Sequence, residues 1–160
     1  MLVTIGGASA GDYDFVQRAF LAEGVKLSFW KVALRPGRPL MHGRLGAMHV
    51  LGVPGNPVSA FVCGFLFLVP LIRCLAGRSD LTRSTDVAVL GSDLPENDER
   101  ADYMRATLTQ GPQGLVATPF PVQDSSMMAP LAKADCLVVR EPFEPAAKSG
   151  GRCAILKFDR

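Results

Sequence analysis

The sequence predicts a layered α/β domain followed by a small, mostly β domain of barrel or half-barrel form. Strand-like and helix-like segments alternate from the N-terminus to Gly77, the order expected of a sheet with helices laid on it. Beyond Gly77 the pattern changes to five short strand-like runs separated by Pro- and Gly-rich turns. With 160 residues, 48% of them hydrophobic, the chain has enough apolar surface for a core in each part. The expected division is 1–77 and 78–160.

Each element has a local reason. Leu2, Val3, Thr4 and Ile5 form a short apolar run ending at Gly6-Gly7, as in a buried parallel strand that enters a loop. Asp12 or Asp14 can cap the following helix, whose Phe15, Val16, Ala19 and Phe20 recur at helical spacing until Glu23-Gly24. Residues 27–34 read as a strand stopped by Pro36. Residues 40–44 and 48–53 flank Leu45-Gly46-Ala47 as a hairpin. A long apolar helix is expected from Pro57 to about Ala76, with a kink at Pro70. In the second part, 85–90, 103–109, 115–118, 136–140 and 153–158 read as strands, and 126–134 as one short helix.

Charge is distributed unevenly. Residues 1–79 carry a net +5 and residues 80–160 a net −3, and no acid falls between Glu23 and Asp80. Lys26, Lys31, Arg35, Arg38, Arg44, Arg73 and Arg78 all lie in that interval, a field that attracts a small polyanion. The basic residues are interrupted by apolar strands and no recognition-helix or aromatic RNA-binding pattern accompanies them, so nucleic acid is not the expected partner. Cys63, Cys74, Cys136 and Cys153 lack metal-type spacing and are read as reduced thiols of a cytoplasmic protein. The uncharged run 50–72 is interrupted by Pro54-Gly55-Asn56-Pro57 and reads as a buried helix rather than a membrane span. No basic, apolar and cleavable leader precedes it, so no signal peptide is expected.

Three motifs carry chemistry. In Gly6-Gly7-Ala8-Ser9-Ala10-Gly11, glycines let backbone amides approach a phosphate, Ser9 adds a hydroxyl donor, and the next helix points its positive end the same way. Asp12 and Asp14 beside such a cradle would repel an anion unless a divalent cation stood between them, which makes a magnesium-bridged phosphate the economical reading; a helix cap alone would also explain Asp12. Lys31, Arg35 and Arg38 put three cations around a Pro36-Gly37 turn and suit an oxyanion, since guanidinium groups bind two oxygens at once. Pro54-Gly55-Asn56-Pro57-Val58-Ser59 builds a second helix start, which capping alone would also explain. His42 and His49 have no metal-type partners. By itself Arg105 reads as a strand-surface cation and Ser125 as a helix cap.

Taken in this order, these motifs resemble the molybdopterin molybdenumtransferases across essentially the whole chain. The resemblance implies the latter part of a three-layer α/β/α molybdopterin-binding domain followed by a C-terminal β-barrel, in a family whose members are more than twice as long. It implies insertion of molybdate into molybdopterin with hydrolysis of adenylyl-molybdopterin, and Mg2+ as cofactor with Asp14 as a metal ligand. Asp14, Lys31, Arg35, Arg105 and Ser125 match catalytic positions. Gly6, Gly7, Ser9, Gly11, Asp12, Arg38, Pro54, Gly55, Asn56 and Ser59 match pterin-binding ones. Many relatives carry lysine at the positions of Arg35 and Arg38. A family aspartate of a Thr-Gly-Asp-type segment would lie upstream of Leu2, so the 160 residues are expected to be a fragment with little activity alone. A homodimer, a molybdopterin adenylyltransferase partner and no membrane are implied. The alternatives are an adenylyltransferase-type pterin-binding domain, against which the barrel argues, and a noncatalytic scaffold module similar to gephyrin.

Overall fold

The computed structural model describes residues 1–7 and 15–158. It divides into two compact units, Met1–Leu81 and Thr82–Arg160. The first is built from β1 (Leu2–Ile5), α1 (Phe15–Ala22), β2 (Lys26–Trp30), a two-residue extended segment β3 (Leu34–Arg35), β4 (Met41–Leu45) and β5 (Met48–Val53). A continuous helix follows, consisting of α2 (Pro57–Cys63), a π-helical stretch (Gly64–Leu68) and α3 (Val69–Leu75). Four strands make one sheet in the order β1-β5-β4-β2. β1 runs parallel to β5, whereas β4 is antiparallel to both β5 and β2, so β1, β2 and β5 all point the same way.

Strand alternation divides the side chains between two cores. Met41 and Val50 point to the α1 side, where they pack with Phe20 and Val25. Leu51 and Val53 point to the other side and meet Leu40 and Cys63, with Val3, Phe29, Ala60 and Phe67 packed around them. Helices therefore cover both faces of the sheet, as the three-layer expectation required.

Two expectations are corrected here. The strand expected over 27–34 stops at Trp30, because Lys31 takes a left-handed backbone (φ 67°) and its amide turns to donate to the Leu40 carbonyl at 3.0 Å. The helix expected to be buried is buried only at Val58, Ser59, Val62 and Cys63, while Phe61, Ile72 and Leu75 are exposed. It runs 19 residues and is long and apolar enough to cross a membrane by length and composition alone. The disturbance expected at Pro70 appears just upstream: Val69 donates to Gly64 five residues back, and this π-helical widening precedes the proline whose missing N–H breaks the regular ladder.

The second unit contains β6 (Asp86–Leu90), β7 (Ala101–Gly111), β8 (Gly114–Pro119), α4 (Met128–Lys133), β9 (Cys136–Arg140) and β10 (Arg152–Lys157). Its strands run in the order β7-β8-β6-β10-β9, and β9 pairs back onto β7 from Asp102↔Arg140 to Ala106↔Cys136, closing a five-stranded barrel. Leu90, Ala106, Ala117, Cys136, Val138 and Ile155 fill it. A buried arginine stiffens one end: Arg140 Nη2 donates to the carbonyls of Pro95, Glu144 and Pro145, and Asn97 Nδ2 donates to those of Arg100 and Glu141.

The turn between Lys31 and Leu40 is clamped to the helix. The Cys63 thiol donates to the Gly37 carbonyl at 3.7 Å, burial pushes that thiol up to about 12, and Gly37 sits at φ 123°. A Cβ at Gly37 would overlap Cys63 Sγ and lie 2.9 Å from Leu34 Cδ1. Gly37→Ala therefore lowers the unfolding free energy by about 1–3 kcal/mol, measured by urea denaturation, with Gly46→Ala, which has open space around its Cβ, as the comparison for backbone strain alone.

Candidate functional site

Because β1, β2 and β5 share a direction, the segments that follow their carboxyl ends emerge at one edge of the sheet. This is where ligands bind in open α/β sheets. After β1 come Gly6 and Gly7 at φ 85° and 63°, after β2 comes Lys31, and after β5 comes Pro54-Gly55-Asn56. Leu40 precedes β4 at that same edge, which brings the turn holding Arg35 and Arg38 there as well.

The two glycine-containing loops lie side by side. Ile5 pairs with Val53, and the Gly6 amide donates to the Val53 carbonyl at 3.0 Å. A Cβ on Gly55 would stand 3.0 Å from Gly6 Cα, so any side chain there would push the loops apart. At Gly7 a Cβ would overlap the Val16 side chain, which sets how closely the turn approaches α1. Asn56 caps α2, its Oδ1 accepting from the amides of Val58 and Ser59 at 3.1 and 3.2 Å, with Pro57 in the first turn and Ser59 buried behind it. The capping expected of this motif is thus present. Of the glycine-motif residues, Ser9, Gly11, Asp12 and Asp14 lie outside the described residues.

The cations are held by backbone geometry. The ammonium of Lys31 rests 4.1 Å from the centre of the Trp30 indole. The Val32 amide donates to the Arg38 carbonyl at 2.9 Å, folding the turn back on itself, and the Arg38 side chain is exposed. On the α1 side of this edge, Thr4 Oγ1 and Trp30 Nε1 are buried without a hydrogen-bond partner among the described residues. Buried polar atoms are rarely left so. No group of three or more His, Cys, Asp or Glu able to hold a metal occurs among the described residues.

In the second unit, Arg105 is 1% exposed, not the surface cation its strand position suggests. Its Nη1 and Nη2 donate to the carbonyls of Met127 and Asp124 at 3.1 and 3.0 Å, and its Nε to Gln123 Oε1 at 3.3 Å. Gln123 Nε2 donates in return to the carbonyls of Arg105 and Phe120. Burial pulls the Arg105 guanidinium below its usual range against the opposing charge of Asp124. Arg105 thereby shapes the loop that carries Ser125. Ser125 itself caps nothing, because α4 begins at Met128 and its N-cap position, Met127, makes no side-chain capping bond. Gln123 was visible in the sequence only as one member of a polar run, since its partner lies 18 residues away.

The histidines also form a unit that sequence spacing does not announce. His42 Nε2 lies 3.0 Å from His49 Nδ1, and Arg44 Nη2 lies 2.9 Å from His49 Nε2. A guanidinium can only donate, so His49 Nε2 accepts, its Nδ1 carries the proton and donates to His42 Nε2, and both rings are neutral.

Comparison with known proteins agrees with this architecture. Residues 1–74 match the family model described as a probable molybdopterin binding domain, and residues 87–158 match that of the MoeA C-terminal region, domain IV. The chain thus carries a probable molybdopterin binding domain followed by a MoeA C-terminal domain. It is 29% identical over 161 residues to the molybdopterin molybdenumtransferase of Haemophilus influenzae, covering 99% of this chain and 40% of that protein. It is 31% identical over 155 residues to the enzyme of the same name from Bacillus subtilis, covering 97% and 36% respectively. The molybdenum cofactor synthesis protein cinnamon of Drosophila melanogaster is 32% identical over 166 residues, covering 99% and 27%. The chain thus spans well under half the length of these relatives. Among solved structures, a molybdopterin biosynthesis MoeA protein of Pyrococcus horikoshii superposes with a TM-score of 0.76 at 22% identity, over 99% of this chain and 37% of that one. The same fold recurs in a molybdenum cofactor biosynthesis protein of Pyrococcus furiosus at a TM-score of 0.70 and 23% identity, over 84% and 46%.

Two outcomes follow from these geometries. Burial first, then His49 and Arg44, lower the pKa of His42 from its ordinary 6.5. Its folded value lies below its unfolded one, so its contribution to stability is complete above pH 6.5 and declines as the pH falls toward the folded value. Urea midpoints taken between pH 7.5 and pH 5 drop more for the wild type than for His42→Gln. In the barrel, Arg105→Met leaves the carbonyls of Asp124 and Met127 unpaired, at about 1–3 kcal/mol for each, and hydrogen exchange at the Ser126 and Met127 amides accelerates.

Proposed function

We propose that a full-length protein carrying this chain inserts molybdate into molybdopterin with hydrolysis of adenylyl-molybdopterin, a step of molybdenum cofactor biosynthesis. One observation carries the reading. Three strands of common direction bring a glycine cradle, a left-handed lysine and a second glycine loop to one edge, in a chain whose two parts match molybdopterin-binding and MoeA C-terminal models. The runner-up, an adenylyltransferase-type domain, leaves the match over residues 87–158 without a role.

In this proposal the amides of Gly6, Gly7 and Gly11, with the Ser9 hydroxyl, take the phosphate of the pterin tail, and Asp12 would meet it only through a bridging divalent cation. Gly55 keeps the neighbouring loop close enough to close one side, and Pro54, Asn56 and Ser59 fix that loop to the helix. Lys31 and Arg38 offset negative charge as the phosphoanhydride is hydrolysed to AMP and molybdopterin. Thr4 Oγ1 and Trp30 Nε1, unpartnered on the α1 side, offer further hydrogen bonds to the bound pterin. Arg35 is assigned to molybdate, two of whose oxygens leave as water as the dithiolene sulfurs bind, and Ser125 is assigned separately as an oxyanion donor of the barrel unit. Arg105 acts through the 123–127 loop that it braces, as a positioning residue. Mg2+ belongs to the proposal with Asp14 as ligand, where it would supply charge neutralisation at the phosphates. Asp14 lies outside the described residues, among which no metal-holding donor cluster occurs, and no step above is routed through the ion. The working form is proposed as a cytoplasmic homodimer that receives adenylyl-molybdopterin from a molybdopterin adenylyltransferase.

The test uses a full-length protein that contains these residues. Asp14→Asn leaves the thermal unfolding transition in place and lowers AMP release by about a hundredfold, followed by chromatography of the nucleotide product. Unchanged release removes Asp14 from the mechanism. Molybdate-dependent cofactor formation is expected from the full-length form and not from the 160 residues alone.

A further inference from the structure

At the edge of the four-stranded sheet opposite the glycine loops lies a cavity of about 340 Å³, lined by Gly24, Lys26, Leu27, Ser28, Arg44 and Gly46. It is open to solvent, and Lys26, Ser28 and Arg44 on its wall are exposed. Lys26 and Arg44 are direct cross-strand partners on β2 and β4. Like charges placed opposite each other in a sheet repel, and neither side chain makes an ion pair among the described residues. The nearest acid in sequence, Glu23, makes none either.

Of the two exposed cations, Arg44 is oriented by hydrogen bonding. Arg44 spends one donor on the neutral His49 ring, which is itself held by His42, and His42 packs against Phe29 with ring centroids 5.8 Å apart. This chain orients the guanidinium without cancelling its charge, because a neutral imidazole accepts a hydrogen bond and contributes no anion. Its remaining N–H donors have no partner among the described residues. A register irregularity between Leu27 and Phe29 leaves Ser28 outside the regular ladder at the cavity wall, adding a hydroxyl to the lining.

We propose that Lys26, Ser28 and Arg44 form a second anion site, separate from the glycine-loop edge, that binds a tetrahedral oxyanion of the phosphate class. An arginine offers paired donors to two oxygens, a lysine a point charge to a third, and the serine a hydroxyl donor, which is the complement of a phosphate dianion. Such an anion would stand between two cations that otherwise repel.

The experiment titrates inorganic phosphate, and in parallel methyl phosphate, into the 15N-labelled 160-residue chain at pH 7.5 and constant ionic strength. Saturable amide shifts are expected at residues 24–28 and 44–46, and both Lys26→Gln and Arg44→Gln weaken them at least about tenfold while leaving the remaining spectrum in place. Tighter binding of methyl phosphate assigns the site to a phosphomonoester, and equal or weaker binding to the free oxyanion. Should a substitution disturb the fold, the wild-type map still decides the matter. Shifts confined to Gly6, Gly7 and residues 54–56, or no saturable shift at all, overturn the second site.

Discussion

The parallel pairing of β1 with β5 is the constraint on which the first unit depends. Once Ile5 is in register with Val53 and the Gly6 amide is committed to the Val53 carbonyl, the loops after the two strands must run alongside each other. Parallel strands allow this because both end at the same edge, whereas an antiparallel pair would send one loop to each side. The approach of Gly55 to Gly6 is then a matter of volume, since only a residue without a Cβ keeps the backbones that close. The same direction, shared by β2, brings the left-handed Lys31 to that edge.

What places the other cations is packing. Gly37 reaches into the helix-side core, where Cys63 donates to its carbonyl, and Leu40 is buried beside Leu51 and Val53. The turn is therefore tied at both its middle and its end, which limits the freedom of the backbone that carries Arg35 and Arg38. A thiol serves here as a small buried donor, and burial suppresses its acidity and hence its reactivity.

The barrel uses arginine in a different way. Arg105 and Arg140 are both buried, and both donate from the guanidinium to backbone carbonyls of irregular segments, 123–127 in one case and 95 with 144–145 in the other. Carbonyls in such segments have no ladder partner, and a planar cation with five donors satisfies several at once. Positive charge in the sequence of this unit is thus partly structural, which a count of lysines and arginines does not distinguish.

Local pattern decided much of this protein. Alternation and turn residues located the strands, Asn56-Pro57 marked a helix start that the structure caps as expected, and the change after Gly77 announced a separate β unit, because propensity, capping and periodicity act over a few residues. Other features depend on partners far apart in the chain. The left-handed turn at Lys31 follows from a bond to Leu40, the burial of Arg105 from a loop some 18 residues on, and the neutral His42–His49 pair from strands brought into register. The sequence alone determined which segments are strands, helices and glycine turns, since that is short-range chemistry. Only the tertiary structure decided which cations face solvent and which brace carbonyls, since that is settled by cross-strand register and burial.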